Sequence, residues 1–331
     1  MKISYNWLKE YIKSDLPIEK IASHLTDLGL EVEGVNFFET VKGGLEGVVV
    51  GEIISCIQHP NADRLKLTKV KVNKSEILQI VCGAPNVDEG QKVPVALVGS
   101  KLYTNDGVEI KIKASKIRGE ESHGMICAED ELGLGDSHDG ILVLSDDIPI
   151  GTPCGKVFKI SEDYVFDIGL TPNRADAMSH MGVARDLKAS FIQNKIKHEW
   201  NSPTVDLFPS GSNTKTIGVQ VNNPEICPRY FGITLTDIKI GPSPSWMQNL
   251  LKSVGISPKN NIVDITNYVL HDLGQPLHAF DADRINGKII VKTLKNKCNF
   301  KTLDGSTINL SSEDLMICDE KKPLCLAGIY G

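Results

Sequence analysis

The sequence predicts a multidomain α+β protein with a small β-barrel between two mixed regions. Three observations predict it. Residues 1–40 carry two short helical stripes and an extended exit. Residues 41–150 hold about six short strand-like runs separated by turn words. From residue 213 onward, strand and helix patterns alternate. A chain of 331 residues has room for two to three domains with sizeable cores.

In residues 1–40, Ser4 is placed to cap a first helix with Tyr5, Leu8 and Ile12 on one side. Pro17 suits the first turn of a second helix, with Ile18, Ile21, Leu25 and Leu28 as its stripe and Gly29 as its stop. Trp7 is expected in the core. A piece this short needs a partner segment to bury its apolar face.

In residues 41–150, strands are expected at 48–57, 67–72, 77–82, 93–98, 108–112 and 141–144, with HPNAD, GAPNVDEG and TNDG as turns. Short strands so punctuated suggest a barrel. Its basic residues form two stripes. Lys69 and Lys71 alternate with Val70 and Val72, and Lys111 and Lys113 flank Ile112, with Lys116 and Arg118 following. Arg64 and Lys66 flank the first turn. Two readings stay open: a solvated face, or a groove that tracks nucleic-acid phosphates. Tyr103 is the only aromatic residue in this region, so the groove would hold backbone rather than read bases. His59, His123 and His138 fall in turns and read as hydrogen-bonding turn residues.

Further on, Asp176 is expected to cap a helix with Met181, Ala184, Leu187 and Phe191 spaced for burial. Asn173, Arg174 and Asp176 either bind something or hold that helix start. Residues 201–212 have linker composition, NSPTVDLFPSGS. Then TIGVQVNN and PRYFGITLTDIKI read as strands. Trp246, Met247, Leu250, Leu251 and Val254 make a helix stopped by Gly255, KIIVK is a strand, and KTLDGSTINL is a hairpin. Between them lies NIVDITNYVLHDLGQPLHAFD, residues 261–281. Val263, Val269, Leu270 and Leu273 share a helical face, and Gly274 sits where a helix ends. Thr266, Asn267, His271, Gln275, His278 and Asp281 fall within one helix and one loop. The residues alone leave open a polar site or a capped helix with an ordinary turn.

Composition narrows the class. No run of about 18 apolar residues is present, so no membrane-spanning helix is expected. The start MKISYNWLKEYIKSD has no apolar signal core. Eight cysteines lie scattered without a CxxC pair or zinc spacing, which reads as reduced thiols in the cytoplasm. A net charge of −6 argues against a surface coated for nucleic acid and leaves local patches.

VDITNYV, GQPLHAFD and LAGIYG, in that order, resemble the editing domain of the bacterial phenylalanyl-tRNA synthetase β subunit. HPNADRL, IVCGAPN, VPVAL and IRGEESHGMICAEDELGLG resemble its OB-fold tRNA-binding module, which also occurs in other synthetases and in free-standing tRNA binders. TPNRADAMSHMGVARDL resembles a further signature of that subunit. The resemblance implies a layout. A discontinuous α+β domain of residues 1–40 and 151–199 is interrupted by an OB-fold barrel at 41–150. A linker follows at 200–212, then an editing domain of B3/B4 type at 213–331. The ending LAGIYG, an apolar word running into glycines, suggests an N-terminal fragment cut inside that last domain.

The resemblance also implies partners. These are tRNA and the synthetase α subunit, in a heterotetramer of two α and two β chains, with neither membrane nor DNA. ATP and Mg2+ would serve the complete enzyme on the α subunit, which carries aminoacylation. No cofactor or metal is expected in this chain. Tyrosine is phenylalanine plus a hydroxyl, and an apolar pocket rejects such a substrate by only about 10², so a second, hydrolytic site has a physical reason. Carried onto this sequence, that site falls on Thr266 and Asn267 near the amino acid and ester. His278 would hold the terminal adenosine or the water. Ala327 and Gly328 would be small enough to let the ring approach. Arg64, Lys66, Lys69, Lys71, Lys111, Lys113, Lys116 and Arg118 become the tRNA-binding candidates. Two positions depart from the family. Its acidic residue for the tyrosine hydroxyl would lie beyond Gly331, and Ser257 and Pro258 stand where the family has Arg-Pro. The alternatives are a non-catalytic tRNA-binding or chaperone protein and a free-standing deacylase.

Overall fold

Ser4 joins the first strand to the first helix: its hydroxyl accepts the Trp7 N–H, as a helix N-cap should. The computed structural model describes residues 1–104, 107–202, 216–294 and 298–328. In chain order the first elements are β1 (Lys2–Ser4), α1 (Tyr5–Leu8), β2 (Ile12–Lys13), α2 (Ile18–Asp27) and β3 (Glu31–Glu39). Next come β4 (Val48–Gln58), β5 (Lys66–Lys71), β6 (Ile77–Cys82), β7 (Lys92–Ala96), β8 (Lys101–Tyr103) and β9 (Glu109–Lys111). Then follow β10 (Ser115–Ile117), β11 (Glu120–Ser122), β12 (Met125–Ile126), α3 (Cys154–Val157), β13 (Glu162–Gly169), α4 (His180–Gln193) and β14 (Glu199–Trp200). The last are β15 (Val219–Val221), α5 (Ser245–Ser253), α6 (Asn261–Leu273), β16 (Ile289–Thr293), β17 (Cys298–Lys301), β18 (Thr307–Leu310), β19 (Leu315–Cys318) and β20 (Pro323–Leu326).

The first layer is an antiparallel sheet in the order β1-β13-β3. Trp7, Leu8, Ile21, Leu25, Phe166, Leu187 and Phe191 share one core beneath it, so helices from both ends of the first 200 residues pack together. Ile12 leaves the first helix and pairs with Trp200 across β2 and β14. The helix at 180 is not capped by Asp176. A 3-10 turn at Ala175–Ala177 intervenes, and Ser179 caps α4 by accepting the Gly182 N–H. Asp176 is instead held by the Arg174 guanidinium, which also reaches Asp186. This network braces the helix start.

Residues 48–126 form a nearly closed five-stranded barrel, ordered β12-β7-β4-β5-β6. The seam is bridged where the His123 N–H donates to the Gln79 carbonyl at 2.8 Å. Ile53, Val70, Ile80, Val93, Val95 and Ile126 fill the interior. The sixth expected strand, 141–144, is not one. Ile141 bonds the Asn86 side chain, and Leu142 and Leu144 bond the backbone of Cys127 and Lys92. Its backbone groups are satisfied by three different neighbours rather than by one ladder.

Beyond the barrel the chain divides its loyalties. Met247 and Leu251 of α5, with Val254 just past its end, join the first core, and Tyr268 of α6 packs against it. A second layer is the sheet β15-β16-β19-β20, with β15 parallel to β16 and the other pairs antiparallel. Beside it β17 and β18 form the hairpin announced by Asp304 and Gly305. The stretch 228–240, expected as a strand, runs without ladder pairing. The linker residues 203–212 and the final 329–331 fall outside the described residues. All eight cysteines are free, and no helix of the described residues is long and apolar enough to cross a membrane.

Candidate functional site

Asn260 starts α6 by accepting the N–H groups of Ile262 and Val263, and Gly274 ends it at φ +76°, a conformation that costs an L side chain energy. Asp264 in its first turn is buried. It accepts from the Ser243 hydroxyl and from the Lys259 N–H at 2.8 Å. The buried face differs from the apolar one the sequence suggested. Val263, Leu270 and Leu273 lie open, while Asp264, Tyr268 and Asp272 face the protein. Polar and aromatic groups win that face because each finds a bonding or stacking partner there.

Thr266 and Asn267 are half-buried on this helix. The Thr266 hydroxyl donates to the Val263 carbonyl at 2.7 Å, which leaves its lone pairs for an incoming donor. After Gly274 the chain turns back, and His278 lies stacked on Phe280 with ring centroids 6.3 Å apart. Its Nδ1 is 3.8 Å from the Cys325 Sγ. Burial pulls the His278 pKa down, so the ring is neutral near pH 7. Burial pushes the Cys325 thiol up to about 11, so it stays protonated and is a poor nucleophile. Phe280, Tyr230, Cys325 and Ala327 belong to one apolar cluster. The Ala327 N–H bonds the Leu315 carbonyl at 2.9 Å. Gly328 follows at φ +71° with no atom within 4 Å of where a Cβ would stand.

His278 therefore rests against Phe280 and Cys325, two members of the cluster that also holds Ala327, and Gly328 follows Ala327 in the chain. Thr266 and Asn267 sit on a helix anchored to the first core. Cys325 beside His278 was legible only as a buried thiol, since no local word sets residue 325 against residue 278.

The basic residues separate in space. Lys69 and Lys71 lie on β5, opposite Ser55 and Glu52 of β4 and Gln79 and Ile77 of β6. The Lys66 ammonium turns inward and donates to the Val87 carbonyl at 2.6 Å. His59 is buried and joins two turns. It accepts the Asn61 N–H at 3.0 Å, and its Nε2 contacts the Ile117 carbonyl at 3.2 Å. Asn61 reaches the Arg118 carbonyl, so Arg64, Lys116 and Arg118 gather near one end of the barrel. Lys111, with Lys113 just beyond, belongs to the separate β8–β9 pair, where Lys111 stands opposite Lys101 and Lys101 bridges Glu109 at 3.1 Å. Tyr103 of the same pair carries the Lys42 ammonium 4.6 Å from its ring centre. His123 and His138 contact Glu121 and Asp130, as turn residues do.

Two family matches cover much of the chain. Residues 48–153 match a "tRNA binding domain" family, and residues 226–331 match a "B3/4 domain" family. Over the full length the chain is 51% identical to the phenylalanine–tRNA ligase beta subunit of Bacteroides fragilis, covering 100% of this chain and 40% of that one. It is 50% identical to the subunit of Porphyromonas gingivalis and 45% to that of Salinibacter ruber, with the same coverage. The chain thus spans about 40% of the length of these curated relatives. With every region of it matched at this identity, the chain belongs to the phenylalanine–tRNA ligase beta subunit family.

Proposed function

We propose that this chain supplies a phenylalanine–tRNA ligase with tRNA binding and with part of the site that hydrolyses mischarged tyrosyl-tRNA. One observation carries the reading. The B3/4 match at 226–331 spans every candidate pocket residue, in the same chain as a tRNA-binding match at 48–153. In this reading residues 1–40 and 151–199 form one α+β domain interrupted by an OB-fold barrel at 41–150, and 213–331 is the B3/B4 editing domain. The continuous β1-β13-β3 ladder supports that layout. The working enzyme is cytoplasmic and contains two α and two β subunits, with ATP, Mg2+ and phenylalanine activation on α. Among the described residues no cluster of three or more His, Cys, Asp and Glu side chains could hold a metal ion.

The chemistry assigned to this chain is positioning. The Thr266 hydroxyl, already donating to Val263, accepts from the substrate ammonium. The Asn267 amide lies by the ester. The neutral His278 ring holds a hydroxyl of the terminal adenosine or the attacking water. Water adds to the ester carbonyl, the C–O bond to the ribose breaks, and tyrosine and intact tRNA leave. The space at Ala327 and Gly328 takes the ring. The basic residues of the barrel hold the phosphate backbone.

Ala327→Trp in the assembled α/β enzyme tests this. An indole fills the ring space, so tyrosyl-tRNA hydrolysis is expected to vanish while phenylalanine charging persists. His278→Ala should weaken hydrolysis less. Hydrolysis by folded Ala327→Trp at the wild-type rate would remove the pocket assignment.

A further inference from the structure

Trp7 and the SHMG word at 179–182 have no part in the reaction just described, yet they meet. His180 is fully buried on α4. Its Nε2 accepts the Ser4 N–H at 3.0 Å, so its Nδ1 carries the proton and donates to the His271 carbonyl at 2.8 Å. Trp7 lies between two rings, with centroids 4.1 Å from His180 and 4.7 Å from Tyr268 and planes inclined by 15° and 12°. Its indole N–H donates to Asp272 Oδ1 at 2.8 Å, and the Tyr11 hydroxyl donates to the same oxygen at 2.5 Å. Burial and Asp272 raise the Tyr11 pKa, so that phenol remains a donor. Helices α1 and α4 thus grip α6 through Tyr268, His271 and Asp272.

Thr266 lies about 200° round the helix from Tyr268, on the opposite face. A helix transmits rotation as a rigid rod. Turning α6 by about 10° carries a group about 5 Å from its axis through about 0.9 Å. Misplacement on the order of 1 Å can cost about 10² in rate.

We propose that Trp7, His180 and Asp272 are positioning residues for the hydrolytic reaction, fixing from one face the rotation of the helix that presents Thr266 from the other. The inference rests on Thr266 belonging to the pocket.

The test uses the assembled α/β enzyme with tyrosyl-tRNA, and compares Asp272→Ala, Asp272→Asn and Ala327→Trp. Asp272→Ala removes the acceptor shared by Trp7 and Tyr11, whereas Asp272→Asn keeps an acceptor oxygen. Asp272→Ala is expected to lower kcat for deacylation by about tenfold or more, with KM for tRNA and phenylalanine charging unchanged. Asp272→Asn restores kcat. Three outcomes overturn the proposal while leaving the pocket in place: wild-type deacylation by Asp272→Ala when Ala327→Trp is inactive, equal loss in the Ala and Asn variants, or a parallel fall in charging. Wild-type deacylation by Asp272→Ala and Ala327→Trp together would instead remove the pocket reading, and this inference with it.

Discussion

The barrel strand β5 and the stretch 228–240 carry the same alternation and meet different ends. On β5, Thr68 and Val70 turn inward to full burial while Lys69 points out, and the strand is paired along both edges. In the other stretch Phe231, Ile233 and Leu235 alternate as strictly, yet remain 71%, 67% and 63% exposed without a ladder. The difference is supply of partners. Neighbours for β5 begin a few residues away on either side, so pairing closes short loops. Beside Gly232 stands Val219 of the edge strand β15, but that strand is three residues long and forms no ladder with 228–240. Period-two patterning states which face a strand would bury; a strand also needs something to pair with.

Gly51→Val should break the better-built side of this comparison. A Cβ there would stand 2.7 Å from both Val70 Cγ1 and Val95 Cγ2, and a valine adds more. The expected loss is about 3 kcal/mol, read as a fall in the barrel's denaturation midpoint. An unchanged midpoint would show that the interior is looser than its packing implies.

A second probe falls on the join between the first core and α6. Burial pushes the His180 pKa down to about 3, below the ordinary value of about 6.5. The unfolded chain therefore binds a proton the folded chain refuses. The stabilisation is complete above about pH 6.5 and falls by about 1.4 kcal/mol per unit as pH drops toward 3. Thermal unfolding of His180→Gln should show a shallower acid dependence than wild type, and matching slopes would mean that the ring is solvated.

The smallest effect should come from Ile233→Ser. At 67% exposure its change is expected within about 0.5 kcal/mol. A clear loss in chemical denaturation would show that 228–240 is covered in solution, which would sharpen the contrast with β5.

Local chemistry was legible wherever one residue type answers one backbone need. Ser4, Pro17, Gly255 and Gly274 mark helix limits, and Asp304 with Gly305 marks the hairpin. Legibility failed where the answer lay far along the chain. Ser179 displaced Asp176 as a cap because Asp176 is taken up within a 3-10 turn that ends before the helix begins. The face of α6 was misjudged because Tyr268 and Asp272 are chosen by Trp7 and Tyr11, more than 250 residues earlier. For the candidate site, words named Thr266, Asn267, His278, Ala327 and Gly328. Only the fold set Cys325 against His278 and put Thr266 on a helix held by another core.

The β3–β13 ladder has a consequence for the order of folding. Glu39 and Glu162 face each other at its end, and just beyond them the Thr40 N–H bonds the Ser161 carbonyl at 3.0 Å. Measured along the chain, this is among the more distant pairings in the molecule, the kind that slows a folding search. Once the barrel has formed, however, its two exits are already neighbours, and the ladder can zip like a hairpin whose turn happens to be a folded body. The entropy of closing that long loop is then met during barrel formation and is not charged again to the sheet. The barrel in this view is also a folding aid. Slowing it with Gly51→Val should delay the burial of Trp7 in stopped-flow refolding by the same factor, whereas independent rates would show that the sheet finds its register unaided.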